Sequence, residues 1–548
     1  MRRERILSEA VPVLEERVRR IESEPLPANM GAVLDAAASL APDAPAVDFF
    51  ESGERATWGE LRGRVNRAAH GLHALGVGRG THVAVMLPNV LAFPITWLAL
   101  ARLGAVMIPT NVGYTARELH YVLSDGDAEF LVIDKDCVPR LAEMPSWPEK
   151  LKEANIVVRG APGDVSSGRR AWSALEDGQP ATVRASDAPG LDDLINIQYT
   201  SGTTGFPKGC MLPQRYWLTI GKVNALRDGR DYRRIFAATP FFYMDPQWLL
   251  MMAMYRRATL VMARRQSASR FWGWVREHRV NFCFLPEIIL KQPARPDDSD
   301  HQVIRANCYG LSKQAHVEAE ARFDLVAREA FGMTEIGSGM FVPMEAVETI
   351  GTGTCGRRSP FREVRVVNEK GETLPPGELG ELVVRGPGML QGYYNKPEAT
   401  ANAFHGDWFR TGDVFRMDEA GWCYIVGRIK DMIRRSGENI AAREVEAVLR
   451  ILPEIAEAAA VPVPDAARGE EVKIYVVLKP GFTRDQVSPE RIIAHCEANL
   501  ARFKVPRYVA YKDALPHTPS EKIAKHVLVA EHADRRTGAF DRVDGVWR

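Results

Sequence analysis

Between residues 81 and 136 the chain alternates two kinds of apolar run, and this alternation narrows the open folds more than any other feature. THVAVMLPN (81–89), AVMIPTN (105–111) and AEFLVIDKD (128–136) are short, rich in β-formers and bounded by turn residues, so they predict strands. VLAFPITWLALARLG (90–104) and TARELHYVLSDG (115–126) lie between them and predict helices, the first stopped by Gly104. Strands that alternate with helices need crossover connections. The expected fold class is therefore α/β, with helix-covered parallel sheets in a large N-terminal domain. RRIFAATPFF (233–242), RATLVMA (257–263) and RVNFCFLP (279–286) predict strands of a second such region, and QPARPDDSD (292–300) predicts a loop.

From 345 to 427 glycine turns such as NEKGE and LPPGELGE separate short strand candidates, REVRVV and ELVVRG, which predicts a compact β subdomain. Past 430 a smaller α+β unit begins, with REVEAVLRILPEIAEAAAV, VKIYVVLKP and RIIAHCEANLARF expected as helix, strand and helix. The expected division is thus residues 1–429 and 430–548. It agrees with length, since one core rarely grows past about 250–300 residues and this chain has 548. The opening MRRERILSEAVPVLEERVRRIE predicts an amphipathic helix, not a signal peptide. No role is expected for the polar tail 526–548.

Basic and acidic residues nearly cancel, 71 against 70, which argues against nucleic acid or an anionic membrane as main partner. The longest apolar stretch, LAFPITWLALARLGAVMIP, is interrupted by Pro, Arg and Gly, so integral membrane association is not expected. Seven cysteines are scattered without a C-x-x-C pair, which predicts neither a disulfide framework nor a zinc site and fits a cytoplasmic location. The sequence supports no inference about oligomeric state.

After the strand candidate DDLINIQYT comes YTSGTTGFPKGCML (199–212). Gly202, Gly205 and Gly209 let the backbone approach a ligand closely. Thr200, Ser201, Thr203 and Thr204 bring hydroxyls, the loop brings amides, and Lys208 brings a point charge, a combination that suits phosphate oxygens. It is not a P-loop, because Lys208 is followed by Gly209-Cys210 with no Ser or Thr for a metal. GTGTCG (351–356) satisfies a dinucleotide fingerprint but leads into the β-type run RRSPFREVRVV, so it reads as turns.

YTSGTTGFPKG resembles the phosphate loop of the adenylate-forming superfamily, which includes acyl-CoA synthetases, adenylation domains and beetle luciferases. The resemblance spans roughly 30 to 530 and recurs in order through FGMTEIG (331–337), WFRTGDVFRMDEAGWCYIVGRIKD (408–431), SGENIAAREVE (436–446), FKVPRYV (503–509) and LPHTPSEKIAK (515–525). It implies the adenylate-forming enzyme fold with a small mobile C-terminal domain, and an ATP-dependent carboxylate–CoA ligase that uses ATP, Mg²⁺ and coenzyme A. On this resemblance Thr200 to Lys208 hold the leaving phosphates, Thr334 touches the α-phosphate, and Glu335 with Thr204 holds Mg²⁺. Phe331 and Gly332 lie at the adenine, Asp413 at the ribose, Arg428 at the ribose or a phosphate, and Lys522 is the catalytic lysine. Lys430 is the hinge, and Gly437 gives room for the pantetheine arm.

The chain departs from the family pattern in places. Glu521 stands where glycine usually precedes the catalytic lysine, which makes Lys525 the alternative to Lys522. Ser436 replaces a glycine, and Phe331 replaces the commoner tyrosine. NCYGLS (307–312) replaces the usual Gly-Gly-Ala segment, leaving adenine contacts assigned loosely to Asn307 through Gly310.

TPFFYMDPQWLLMMAMY (239–255) gathers Phe241, Phe242, Tyr243, Asp245 and Trp248, the aromatic faces and carboxylate that a quaternary ammonium requires. With 265–280 and 308–314 it resembles the carnitine/crotonobetaine–CoA ligase branch, which puts Tyr243, Asp245, Trp248 and Gly310 at the acid. A mid-size aliphatic or aromatic acid is the other expectation. Two further functional readings stay open: an adenylation enzyme that loads a carrier protein, and a nucleotide-binding regulator without catalysis.

Overall fold

The computed structural model describes residues 2–166, 168–182, 188–200, 207–436, 438–518 and 522–548. The predicted β-α-β order is present. His82–Met86, Val106–Pro109 and Phe130–Asp134 are parallel strands, linked by the helices Ala92–Leu103 and Ala116–Asp125. Thr115 and Glu118 close the second helix's N-terminus reciprocally, a cap worth about 1 kcal/mol. Among the described residues these strands belong to a seven-stranded sheet whose last two members are Leu194–Thr200 and Lys208–Pro213. A nine-stranded sheet has Ala327–Met333, Arg305–Cys308, Phe282–Phe284, Arg234–Ala237, Thr259–Met262 and Pro45–Phe49 as its parallel middle. The helices Gln214–Leu226 and Met244–Arg256 pack together. Trp97 and Trp217, both fully buried, meet edge to face at 5.1 Å in this core.

The chain separates into two compact units. The first holds residues up to 200, Lys208–Val364 and Val384–Phe409; the second holds Arg365–Val383 and Arg410–Arg548. Residues 410–429 thus group with the C-terminal residues, ahead of the change of texture at 430.

In the second unit the strands Glu438–Ala441, Met432–Arg435, Gly469–Leu478, Tyr508–Tyr511, Phe540–Asp541 and Val546–Trp547 lie in that order, and Ile455–Asp465 also pairs with Gly469–Leu478. The single helix expected over REVEAVLRILPEIAEAAAV is two elements. A helix, Ala442–Leu449, is followed by the strand Ile455–Asp465. Pro453 lacks an N–H and disfavours helix before it. Beyond it the residues alternate between two cores: Ala458 and Ala460 pack with Val445 and Ile492, while Ala459 and Val461 pack with Tyr475 and Leu528. Burial on both faces makes the strand read as continuously apolar, and pairing overrides alanine's helix propensity.

Both termini are ordered differently from expectation. The N-terminal run forms two helices, Arg2–Ser8 and Leu14–Ser23, broken around Pro12. The tail adds two short strands to the second unit's sheet. Its Asp541 is fully buried between Arg507 at 3.1 Å and Arg548 at 2.9 Å. Lys473, also fully buried, donates to the carbonyls of Arg535 and Thr537 at 2.8 and 2.9 Å, and burial brings its ammonium down to about 8. No helix among the described residues is long and apolar enough to cross a membrane.

Candidate active site

In the first unit the strand before the phosphate loop is tied to the acid segment by buried amides. Asn196 accepts from Trp97 Nε1 at 2.9 Å and donates to Gln247 Oε1 at 3.1 Å, and Gln198 Nε2 donates to the Phe242 carbonyl at 2.8 Å. Thr200 faces Lys208 across the hairpin, its Oγ1 donating to the Lys208 carbonyl at 3.4 Å. Ser201, Gly202, Thr203, Thr204 and Gly205 lie outside the described residues, as does Gly437.

The Lys208 ammonium lies 4.0 Å over the Tyr393 ring, and Tyr393 Oη donates to Glu335 Oε1 at 3.0 Å. Glu335 is buried, at 8% exposure, and among the described residues no Lys or Arg is paired with it. A buried carboxylate whose bonded partner is a neutral hydroxyl fits Mg²⁺, which takes one or two carboxylates and completes its octahedron with phosphate oxygens and water. No group of three His, Cys, Asp or Glu side chains among the described residues could hold a metal without such help. Tyr393, in LQGYYN, was not legible as a site residue. Its only sequence signal is a Gly-Tyr-Tyr in an otherwise polar stretch.

Thr334 Oγ1 donates to Met244 Sδ at 3.6 Å, and Tyr216 Oη meets the same sulfur at 4.0 Å. Since Met244 opens the helix Met244–Arg256, the segments expected at the α-phosphate and at the acid meet there. Phe331 is half-buried and Gly332 exposed on the strand Ala327–Met333. A Cβ on Gly332 would stand 2.5 Å from the Gly337 carbonyl oxygen, so the strand bulge admits only glycine.

The 307–312 segment is held from behind. Asn307 is fully buried, its Oδ1 accepting from Arg305 Nε at 2.7 Å and Arg227 Nη2 at 3.1 Å. That side chain is spent on the core, so a ligand contact by this loop falls to its backbone or to Tyr309. Gly310 takes φ +74°, and the amides of Gly310 and Leu311 both donate to the Glu329 carboxylate at 2.8 Å. Burial, then the adjacent Arg305, lowers the Arg227 guanidinium to about 10, which still leaves it charged at neutral pH.

The segment expected at the acid is aromatic with one carboxylate. Trp248 Nε1 donates to Asp245 Oδ1 at 3.2 Å, and Tyr243, at the helix N-cap, packs on Phe242 at 4.7 Å. Trp248 is 3% exposed and sits behind the wall, meeting Phe284 at 5.5 Å. Phe284 meets the half-exposed Tyr309 edge to face at 5.5 Å. Phe284 and Tyr309 join a wall whose other members lie on a different segment, which is why sequence spacing did not single them out.

In the second unit Asp413 and Arg428 sit opposite each other on antiparallel strands, with Arg428 Nε 2.6 Å from Asp413 Oδ1. Thr411 Oγ1 accepts from the Asp413 amide at 3.1 Å, fixing the approach to a carboxylate that is only 1% exposed. Lys430 lies in the short turn Ile429–Asp431, with its side chain outside the described residues. Lys522 is exposed, and its carbonyl accepts from the Thr518 amide at 2.7 Å. Lys525 is engaged instead: its ammonium is 2.6 Å from Glu446 and 3.7 Å from Asp431.

The AMP-binding enzyme family matches residues 34–394, and the C-terminal domain of AMP-binding enzymes matches residues 444–522. The crotonobetaine/carnitine–CoA ligase of Citrobacter koseri is 32% identical over 498 residues, spanning 88% of this chain and 95% of that protein. Its counterpart in Salmonella paratyphi A is 32% identical over 499 residues, spanning 88% and 95%. Among solved structures, ATP-bound MatB from Rhodopseudomonas palustris aligns with a TM-score of 0.81 at 25% identity, covering 92% of this chain and 99% of that one. A Mycobacterium tuberculosis fatty acyl CoA synthetase aligns at 0.71 and 27%, covering 92% and 98%. The expected α/β architecture with a separate C-terminal domain is therefore the one observed. A match over most of the chain, and relatives about a third identical along nearly their whole length, place this chain in the AMP-binding enzyme family.

Proposed function

We propose that the acid activated by this chain is a short zwitterion whose cation is a quaternary ammonium. The reaction class is ATP-dependent carboxylate–CoA ligation, with ATP, coenzyme A and the acid as substrates and Mg²⁺ as cofactor. The observation that carries the acid's identity is Asp245, held by Trp248 Nε1 at 3.2 Å, with Trp248 packed on an aromatic wall of Phe284 and Tyr309. A quaternary ammonium has no N–H to donate, so it is recognised by ring faces and a carboxylate. The curated relatives named crotonobetaine/carnitine–CoA ligase support the same reading.

In the first step a carboxylate oxygen attacks the α-phosphorus, the bond to the β-phosphate breaks, and pyrophosphate leaves. Lys208 and Thr200, with the loop between them, bind the departing phosphates. Thr334 donates to the α-phosphate, Glu335 holds Mg²⁺, and Asp413 binds the ribose. Bound Mg²⁺ neutralises charge on the phosphate oxygens. Lys522 places its ammonium between the two anions as they join. In the second step the thiol sulfur attacks the acyl carbon, the acyl–phosphate bond breaks and AMP leaves. The C-terminal domain turns about Lys430 between the steps, which withdraws Lys522, and the loop at Gly437 admits the pantetheine arm. We place the enzyme in the cytoplasm with no nucleic acid partner; the near-neutral charge of +1 and seven buried cysteine thiols support this.

The test is AMP and thioester formation by the purified chain with ATP, Mg²⁺ and CoA over a panel of γ-butyrobetaine, crotonobetaine, carnitine, fatty acids and aryl acids. Preference for a trimethylammonium acid, lost in Asp245→Asn, is expected. Preference for an uncharged acid overturns the zwitterion reading. Pyrophosphate release without a CoA thioester moves the acceptor to a carrier protein.

A further inference from the structure

Asn307 can point only one way. Guanidinium groups donate and never accept, so the two arginine contacts at 2.7 and 3.1 Å fix its oxygen on their side. Its amide nitrogen then faces Tyr309 Oη at 3.3 Å and donates to it. A phenol oxygen that accepts there has its own proton to give in another direction, and among the described residues no acceptor takes it. Tyr309 is 51% exposed, and its ring continues the wall through Phe284.

The charge behind Asn307 is uneven. Arg227, Arg305 and Asp228 are all buried to 1% exposure or less, and Arg305 Nη1 pairs with Asp228 at 2.8 Å. Two guanidiniums thus share one carboxylate. The surplus positive charge polarises the Asn307 amide, and the amide in turn polarises the phenol. Burial and then Asp245 raise the Tyr309 phenol and outweigh the lowering by Arg227 and the Asn307 amide, so Tyr309 keeps its proton at neutral pH and has it to donate. Phenylalanine would keep the packing on Phe284 and leave the Asn307 amide without an acceptor.

We infer that Tyr309 Oη donates a hydrogen bond to an oxygen carried on the chain of the acid, and so sets a preference for hydroxylated acids over their deoxy analogues. This rests on the wall of Asp245, Phe284 and Tyr309 being the acid pocket, but not on the acid being cationic. Tyr309 is half-exposed in the free protein, so discrimination arises when a bound acid covers it: an acid without the hydroxyl then leaves the Tyr309 proton unpaired and away from water.

The test compares kcat/KM for two pairs of acids, carnitine with γ-butyrobetaine and 3-hydroxybutyrate with butyrate, in the natural enzyme and in Tyr309→Phe. The natural enzyme is expected to prefer the hydroxylated member of each pair it activates. Tyr309→Phe is expected to lower kcat/KM for that member about tenfold or more, and for the deoxy member far less, so that the preference collapses. An equal fall on both members, or an unaltered preference, overturns the inference. If only the second pair is activated, the zwitterion reading falls and Tyr309 is judged on that pair. If neither pair is activated, the inference about Tyr309 is overturned, and crotonobetaine in the wider panel decides the zwitterion reading separately.

Discussion

Tyr393 donates its hydroxyl proton to Glu335 at 3.0 Å, and in doing so fixes one oxygen of the carboxylate proposed to hold Mg²⁺. The same ring lies 4.0 Å under the Lys208 ammonium, so one side chain touches both the carboxylate proposed for the metal and the ammonium proposed for phosphate. Tyr393→Phe keeps the ring and removes only the hydrogen bond. A hydrogen bond to a charged carboxylate is worth about 1.5–3 kcal/mol, so Mg²⁺-dependent activity should half-saturate at about 10–100-fold higher Mg²⁺. Mg²⁺ titration of pyrophosphate release measures this, and an unmoved midpoint takes Tyr393 out of the metal's support.

Lys522 and Lys525 are three residues apart and occupy different worlds. Lys522 is exposed, while Lys525 bridges Glu446 at 2.6 Å and Asp431, the last residue of the turn proposed as the hinge, at 3.7 Å. Lys525 is thus the anchor of the segment and Lys522 the group it presents. Lys522→Ala should abolish adenylation, leave thioester formation from supplied acyl-adenylate, and leave Tm unchanged. Lys525→Met should lower Tm and slow adenylation about tenfold or more, with Lys525→Arg restoring most of both. Equal losses in both half-reactions for Lys522→Ala would sink the assignment.

Asp413 is almost fully buried and lies 2.6 Å from Arg428 on the opposite strand, so its carboxylate has a cationic partner and a fixed position. Asp413→Asn preserves the shape and removes the charge. The KM for ATP should rise about tenfold or more, with the KM for the acid changing little. Steady-state kinetics with each substrate varied in turn decides it, and a parallel rise in both constants points to a misfolded strand instead.

The strands between 81 and 136 were legible because each carries its own local signal: β-branched runs closed by turn residues, and a helix stopped at Gly104. The strand Ile455–Asp465 was not, because AEAAAV has the composition of a helix and becomes a strand only by pairing with Gly469–Leu478. The same holds for the candidate site. Thr334, Glu335 and Asp413 sit in motifs that can be read in one dimension. Tyr393 and Tyr309 act through Glu335 and Asn307, partners 58 and 2 residues away. Tyr309 is close in sequence, yet the role proposed for it depends on Arg227 and Arg305 fixing Asn307. Their convergence leaves no periodic trace.

Gly332 tests the geometry of the nucleotide segment without removing a polar group. Its missing side chain leaves the Gly337 carbonyl oxygen 2.5 Å from where a Cβ would stand, and backbone cannot give way cheaply. Gly332→Ala should spread the bulge between Ala327–Met333 and Gly337–Phe341, displace Phe331 and Thr334 together, and lower kcat/KM for ATP about 100-fold, more than Phe331→Leu does. Kinetics near the natural values would mean that the strand ends move freely, and that Phe331 and Thr334 are not positioned by this bulge.

Asp541 gives the second unit an acid-sensitive lock. Burial alone would raise its carboxyl, but hydrogen bonds from Arg507 and Arg548 outweigh it and hold the group at about 2. An ordinary aspartate titrates near about 4, so the folded value is depressed and the stabilisation is fully present above that range. It fades as pH falls from about 4 to about 2, and the difference corresponds to about 2–3 kcal/mol. Asp541→Asn should therefore lower the Tm of the second unit at pH 7, and the gap to the natural chain should close between about pH 4 and pH 2. Calorimetry across that range reads both effects. A gap that persists at pH 2 would mean that Asp541 stabilises the tail through its shape and neutral hydrogen bonds, and that the Arg507–Asp541–Arg548 charges contribute nothing net.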